Sequence, residues 1–89
     1  MLHARKDYNR IQDPLLKEGK GSVNEHAIKK DEPVFLLRAQ DSLFIPTLQF
    51  YLLLAQERGC QTELLQSIVC HMETARLWNL KHPVKTPDL

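Results

Sequence analysis

A four-residue pattern, R-x-Q-D, occurs twice in this chain, over residues 10–13 and over residues 38–41. In an extended backbone the side chains at i and i+2 point to the same side, so each copy presents a guanidinium beside an amide. These two groups together suit a phosphate, a carboxylate or the edge of a nucleobase. The pattern predicts a site for an anionic, nucleotide-like ligand, with Tyr8 as a stacking or hydroxyl partner. The predicted site residues are Tyr8, Arg10, Gln12, Arg38, Gln40 and Asp41.

The same repeat has a structural interpretation, which the sequence leaves open. Each arginine can pair with a nearby aspartate, and Asp13 and Asp41 can each form a turn or cap a helix, because Asp side chains bond to the backbone two residues on. Under that interpretation the repeat stabilises loops and binds no ligand.

The histidines and cysteines form no metal-binding or catalytic pattern. His71 and Cys70 follow each other on a predicted helix and point about 100° apart, so they do not chelate a metal together. We interpret His71 as a partly buried helix residue. Cys60 and Cys70 lack CxxC spacing and are interpreted as reduced, structural thiols, which favours a cytoplasmic location.

Enzymatic activity is a further hypothesis, in which Glu32 or Asp41 acts beside Tyr8. Acid–base chemistry usually needs a desolvated, paired carboxylate, whereas Glu32 precedes a proline in a predicted exposed turn. We therefore predict a protein that is not an enzyme and that uses no cofactor and no metal.

The composition is that of an ordinary globular chain and limits the classes of partner. The 89 residues predict one domain, 1–89, and the net charge of +1 argues against general nucleic-acid binding. The first residues contain no apolar signal-peptide core. The longest apolar run, residues 50–55, is far shorter than a membrane span. We expect a cytoplasmic protein.

The chain is predicted to be α+β and mostly helical. The expected order is a loop-rich segment, one short strand, two helices forming an antiparallel hairpin, and a frayed tail: 1–31, 34–39, 46–58, 63–80 and 84–89.

Prolines, a glycine and a threonine mark these boundaries. Pro33 suits the first position of a strand, and Pro46 suits the first position of a helix, because neither position needs an N–H. Gly59 is expected just after the first helix, Thr62 is expected to cap the second, and Pro83 prevents its continuation. Residues 19–22 are expected to form a flexible turn.

The predicted elements carry more apolar surface than they can bury against one another. The predicted buried face of the second helix comprises Leu64, Leu65, Ile68, Val69, Met72, Ala75 or Arg76, and Trp78. The first helix is apolar around nearly its whole circumference over 48–55, which predicts self-association, most simply as a two-fold dimer. The alternative is that residues 1–31 cover this helix. The lone strand must likewise pair with the N-terminal segment or with a copy of itself.

The segments at residues 8–14 and 31–41, YNRIQDP and DEPVFLLRAQD, resemble a recurrent class of small proteins encoded by tailed bacteriophages and prophages. The resemblance covers about residues 7–59 and departs at 15–30, where this chain carries a longer, more basic insertion. It implies a protein that acts by binding, because small early phage proteins block a host enzyme or sequester a nucleotide signal of host defence.

Two functions remain open from the sequence. The first is an oligomeric, non-enzymatic binding protein in phage–host conflict, which binds a host protein or an anionic nucleotide-like signal. The alternative is a structural or accessory phage protein that adds its strand to a partner's sheet. The alternative predicts a strand without an internal partner and no pocket.

Overall fold

The computed structural model describes residues 1–16 and 25–87. The chain forms two compact units, Met1–Leu36 and Leu37–Leu89, each described here by itself. Two helices and a short parallel sheet make the protein α+β and mostly helical, as predicted. The flexible turn expected at 19–22 lies outside the described residues, as does much of the basic insertion.

The sheet of the first unit has two short strands, β1 (Leu2–His3) and β2 (Pro33–Val34). They pair in parallel, Leu2 with Pro33 and His3 with Val34, and the Leu2 N–H donates to the Glu32 carbonyl at 2.8 Å. The expectation that the strand pairs with the N-terminal segment is confirmed. Its predicted extent, 34–39, is wrong, because β1 offers partners to only two residues.

Tyr8 and Ala27 form the buried centre of this unit, at 8% and 5% exposure. Tyr8 ends a 3₁₀ turn, Lys6–Tyr8, and its ring meets the edge of the His3 ring at 6.2 Å between centroids. The Arg5 guanidinium lies 5.5 Å from the Tyr8 ring centre. A second 3₁₀ turn spans Pro14–Leu16. The unit therefore depends on turns and one aromatic residue more than on the sheet.

In the second unit, α1 spans Phe44–Glu57, so it begins two residues earlier than the predicted 46–58. The Phe44 N–H donates to the Asp41 carbonyl at 3.0 Å, so the turn at Asp41 runs directly into the helix. Pro46 is consequently the third helical residue and not the first. It is still tolerated, because the first N–H groups of a helix have no acceptor within it.

Gly59 ends α1 with φ of +69°, as its predicted role after the helix requires. Its N–H donates to the Gln56 carbonyl at 3.1 Å, and the Cys60 N–H donates to the Ala55 carbonyl at 3.0 Å. These two bonds form a Schellman motif, which satisfies carbonyl groups that the helix end would leave unpaired.

The second helix, α2, spans Thr62–Asn79, close to the predicted 63–80. Its cap is Gln61, with extended backbone and a carbonyl that accepts the first N–H groups of the helix. The prediction of Thr62 as the cap is wrong, because Thr62 is already helical.

Helices α1 and α2 contact each other along one narrow stripe of each helix. We call these two stripes together the seam. On α1 the buried and half-buried seam residues include Phe44, Leu48, Leu52 and Ala55. On α2 they are Leu65, Ile68, Met72, Ala75 and Asn79, which alternate in spacing between three and four. The Phe44 and His71 rings meet across the helices at 5.9 Å.

The buried face of α2 is narrower than predicted. Val69, Leu64 and Trp78 are 49%, 40% and 40% exposed, because one neighbouring helix covers only a stripe. Trp78 instead stacks on His82, with 4.0 Å between ring centres.

Two further features of α2 bear on the predictions. Arg76, one option for the buried face, pairs with Glu73 at 2.6 Å on the exposed side of α2. His71 is exposed and not partly buried as predicted.

The tail is fixed at Lys85, although it was predicted to fray from residue 84. The Lys85 N–H donates to the Gln40 carbonyl, and the Ser42 N–H donates to the Lys85 carbonyl, both at 2.9 Å. Residues 88 and 89 lie outside the described part.

Among the described residues, neither helix combines the length and the apolar character needed to cross a membrane.

Candidate functional site

The first copy of the repeated pattern is bonded into its own unit. The Gln12 amide accepts from the Met1 amino group at 2.8 Å and donates to the Met1 and Asn9 carbonyls at 3.1 and 2.9 Å. Arg10 donates to the Asp7 carbonyl. The donors of Gln12 are thus occupied by the protein itself, which leaves the exposed Arg10 as the more available of the two predicted ligand-binding groups.

Asp13 and Asp41 play the same part in the two copies. The Asp13 Oδ1 accepts the Leu15 N–H at 3.0 Å, and the Asp41 Oδ1 accepts the Leu43 N–H at 2.8 Å. Each aspartate carbonyl also accepts the N–H three residues on, from Leu16 and from Phe44. The prediction that these aspartates form turns is confirmed, and each turn leads into helical backbone.

Asp13 carries one contact that Asp41 lacks. Its Oδ2 accepts the Ile28 N–H at 2.7 Å, fifteen residues away in sequence. The Ile28 N–H, and then the Leu15 N–H, hold the pKa of the Asp13 carboxyl below its ordinary value, because both bonds stabilise the charged form. Asp13 therefore joins distant parts of the first unit.

The second copy leaves its side chains more available. Arg38 is exposed and Gln40 half-buried, and neither side chain bonds to another residue in the described part of the chain. The backbone of this copy is fixed, since the Asp41 N–H donates to the Arg38 carbonyl at 2.9 Å. The two copies belong to different units, so each is a separate candidate for binding.

Tyr8 offers little surface to a ligand. It is 8% exposed, and its ring is contacted by His3 and by the Arg5 guanidinium. Its place in the structure is a core position of the first unit.

His3 is also held in this unit. Its Nε2 lies 2.8 Å from the Ile11 carbonyl, which can only accept, so Nε2 carries a hydrogen and donates. The Nδ1 is buried and has no partner among the described residues.

The most extensive candidate surface is the outer face of α1, which we define as Leu43, Phe50, Tyr51, Leu53 and Leu54. These side chains are 52%, 64%, 54%, 57% and 43% exposed. At 100° per residue, Phe50 and Leu53 lie on the side of the helix opposite the seam, and Leu54 lies beside them. Tyr51 lies at the border between this face and the seam. No charged residue occurs in 42–56. The excess predicted over 48–55 is therefore exposed surface, and Leu43 extends it to the residue that precedes α1.

The described residues contain no group of three or more His, Cys, Asp or Glu side chains able to hold a metal ion. Cys60 is half-buried and Cys70 exposed, and both are free thiols.

Comparison with known proteins assigns no relatives: no family model, no curated protein and no solved structure matches this chain.

Proposed function

We propose that this chain is a non-enzymatic binding protein that works as a two-fold homodimer, joined through the outer face of α1. The observation that carries the proposal is the row of solvent-exposed apolar side chains on that face, in a segment, 42–56, that contains no charged residue. Uncharged helix surface needs no counter-charge in a partner, and it gains free energy wherever water is excluded from it.

Within each protomer α1 and α2 form an antiparallel hairpin in this proposal. Only four residues, 58–61, separate the helices. A link this short favours chain reversal. The contact between Phe44, at the start of α1, and His71, well along α2, supports the same arrangement. The hairpin uses the seam, so the outer face of α1 remains for a partner.

The size of the outer face fits an interface. Its five side chains are about half exposed. With full areas of roughly 200 Å² each, they present on the order of 500 Å² of apolar surface. A stable interface buries about 800 Å² per partner. The exposed Pro46 and Thr47, on the same side of α1, add to the available area.

A second copy is the occupant that the charges favour. In an antiparallel pairing of two α1 helices around Phe50, each helix C-terminus lies beside the N-terminus of the other. Glu57, the nearest charge after the outer face, then lies beside the positive end of the other helix dipole. The same patch on both protomers makes the contact self-complementary.

The ligand of this dimer, in our proposal, is a host protein or an anionic nucleotide-like molecule in the setting of phage–host conflict. That setting rests on the resemblance at 8–14 and 31–41. Among the predicted site residues, Arg38 and Gln40 are the best available for such a ligand, because their side chains are not used by the described structure.

Strand addition to a partner's sheet has less support. It predicts a strand without an internal partner, whereas β2 pairs with β1. In addition, β2 has only two residues and one is Pro33, which has no N–H to donate to an added strand.

The dimer is tested by a single charge on the outer face. Leu53→Glu is expected to convert a dimer into a monomer, because a buried carboxylate without a partner is costly. The measurement is molar mass by light scattering across a hundredfold range of concentration.

The matched control is Leu77→Glu, which places the same charge at a leucine of similar exposure near the end of α2. The control is expected to keep the wild-type mass, and circular dichroism checks that both variants are helical. A monomeric wild-type protein, or equal masses for the two variants, contradicts the proposal.

A further inference from the structure

A cavity of about 470 Å³ lies in the first unit. Its lining residues are Met1, Leu2, Asn9, Gln12, Asp13, Leu16 and Lys30. The volume falls in the range of small-molecule sites, which is about 300–1,000 Å³. Leu2 and Leu16 are 53% and 38% exposed, so apolar wall remains in contact with water. An apolar ligand group would gain free energy by covering it.

The polar groups of the cavity are unequally satisfied. Both oxygens of Asp13 accept backbone N–H groups, and the Gln12 amide bonds to Met1 and Asn9. Lys30 differs, because its ammonium has no hydrogen bond or ion pair with any residue in the described part of the chain. The Asn9 Oδ1 accepts the His3 N–H, and the Asn9 Nδ2 is a second donor that has no partner among residues 1–16 and 25–87.

Lys30 lines the cavity and is also exposed to solvent. We therefore place its positive charge at the mouth of the cavity and not in its interior. A ligand that satisfies both regions has an anionic head in contact with water and an apolar body inside. From this arrangement we propose that the cavity binds an aliphatic monocarboxylate, with its carboxylate on Lys30 and its chain against Leu2 and Leu16.

The charge of Asp13 selects one negative charge over two. The Asp13 carboxylate accepts two backbone N–H groups, which stabilise its charged form. A carboxylate near the cavity wall repels a dianionic head more than a monoanionic one. The ammonium of Lys30 offsets a single negative charge. An aliphatic monocarboxylate is therefore favoured over a phosphate monoester of the same chain length.

The experiment measures binding of sodium octanoate to the full chain by calorimetry and by NMR shifts of the amides of Leu2, Leu16 and Lys30. Octyl phosphate tests the charge preference, and octanol tests whether the head is needed. Saturable octanoate binding is expected, weaker for octyl phosphate and weaker still for octanol.

The matched variants are Lys30→Met and Lys29→Met. The two lysines are adjacent and both are exposed, and only Lys30 lines the cavity. Lys30→Met is expected to weaken octanoate binding about tenfold, the loss of one charge-assisted contact, while Lys29→Met leaves it within about twofold.

Equal affinities for the two variants overturn the assignment of the head to Lys30. If octanol binds as tightly as octanoate, the proposal of an anionic ligand is overturned. If octanoate binding does not saturate, the proposal of a binding site in this cavity is overturned. Leu53→Glu gives a separate readout, because the dimer can fail while octanoate binding in the first unit persists.

Discussion

At the scale of single residues, Asp13 has the largest structural role of the repeated pattern. It shapes its own turn through the Leu15 N–H and reaches the Ile28 N–H across fifteen residues. An aspartate in a turn is commonly a local device. Here the second oxygen turns a local motif into a connection between the N-terminal turns and the segment that leads into β2.

Replacing Asp13 by asparagine is expected to loosen the first unit, because an amide has one acceptor oxygen where the carboxylate has two. The amide groups of Leu15 and Ile28 are the reporters. Hydrogen exchange at the Ile28 amide is expected to accelerate in Asp13→Asn. Asp31→Asn is the control, since Asp31 is an exposed carboxylate whose side chain bonds to no residue in the described segments.

The same contacts make the first unit sensitive to acid. The folded-state pKa of Asp13 lies below its unfolded value of about 3.9, so its contribution is fully present above that pH. The contribution is lost as the pH falls through the lower, folded value. Ile28 amide protection is therefore expected to fall below about pH 4 in the wild type. An Ile28 amide with the same protection factor at pH 3 and at pH 6, each corrected for intrinsic exchange at that pH, would contradict this role.

At the scale of elements, the seam between α1 and α2 holds the second unit together. Ile68 lies in the middle of its α2 stripe at 8% exposure, while its neighbour Val69 is 49% exposed. Ile68→Ala removes buried methyl groups from a stripe that contains few buried residues. Val69→Ala removes apolar side-chain surface that is already half exposed to water.

We expect Ile68→Ala to lower the free energy of unfolding of the second unit by about 2–4 kcal/mol. Val69→Ala is expected to stay within about 0.5 kcal/mol of the wild type, as an exposed substitution does. Trp78 is the one tryptophan of the chain and lies on α2, so its fluorescence in a urea titration reports this unit. Equal losses for the two variants would mean that the seam is not the core.

The helices were largely predictable from the sequence because their signals are local. Gly59 indicates a left-handed backbone conformation at the end of α1, and the three-four spacing from Leu65 to Ala75 indicates the buried stripe of α2. The width of that stripe was not predictable in the same way. Trp78 has the right spacing for the core, yet its exposure depends on how far α1 extends beside it.

The strand shows why non-local structure was harder to predict. The apolar run over 34–39 is typical of a covered strand. Only Pro33–Val34 is a strand, because its length is set by β1, and Leu2–His3 has no strand-like pattern of its own. The Arg38 carbonyl then closes a turn with the Asp41 N–H, which ends extended pairing from the other side. The hydrogen bonds between Gln12 and Met1 were equally unpredictable from the sequence, because they join chain segments that meet only in the folded protein.

At the scale of the whole molecule, the chain buries few side chains completely. The buried hydrophobic residues that the described structure provides are Tyr8, Ala27, Phe44, Ala55, Ile68 and Ala75, and each is still 4–8% exposed. Small domains bury a low fraction of their surface and are marginally stable alone. Association that covers the outer face of α1 would add to stability as well as to function.

This link between assembly and stability predicts a concentration-dependent melting temperature. When a dimer unfolds to two monomers, each tenfold rise in concentration raises its apparent free energy of unfolding by about 1.4 kcal/mol. We expect the wild-type thermal midpoint, followed by circular dichroism, to rise by roughly 5–11 °C over a hundredfold range, because the two chains unfold together and a unit of about 180 residues shifts by about 2–4 °C per kcal/mol. Leu53→Glu is expected to melt at one temperature throughout that range, since its monomer unfolds without a change in molecularity. Leu77→Glu is expected to retain the wild-type slope even if its own midpoint is lower. A wild-type midpoint that does not move with concentration would mean that α1 keeps its outer face in water, and the apolar row would then need a partner other than a second copy.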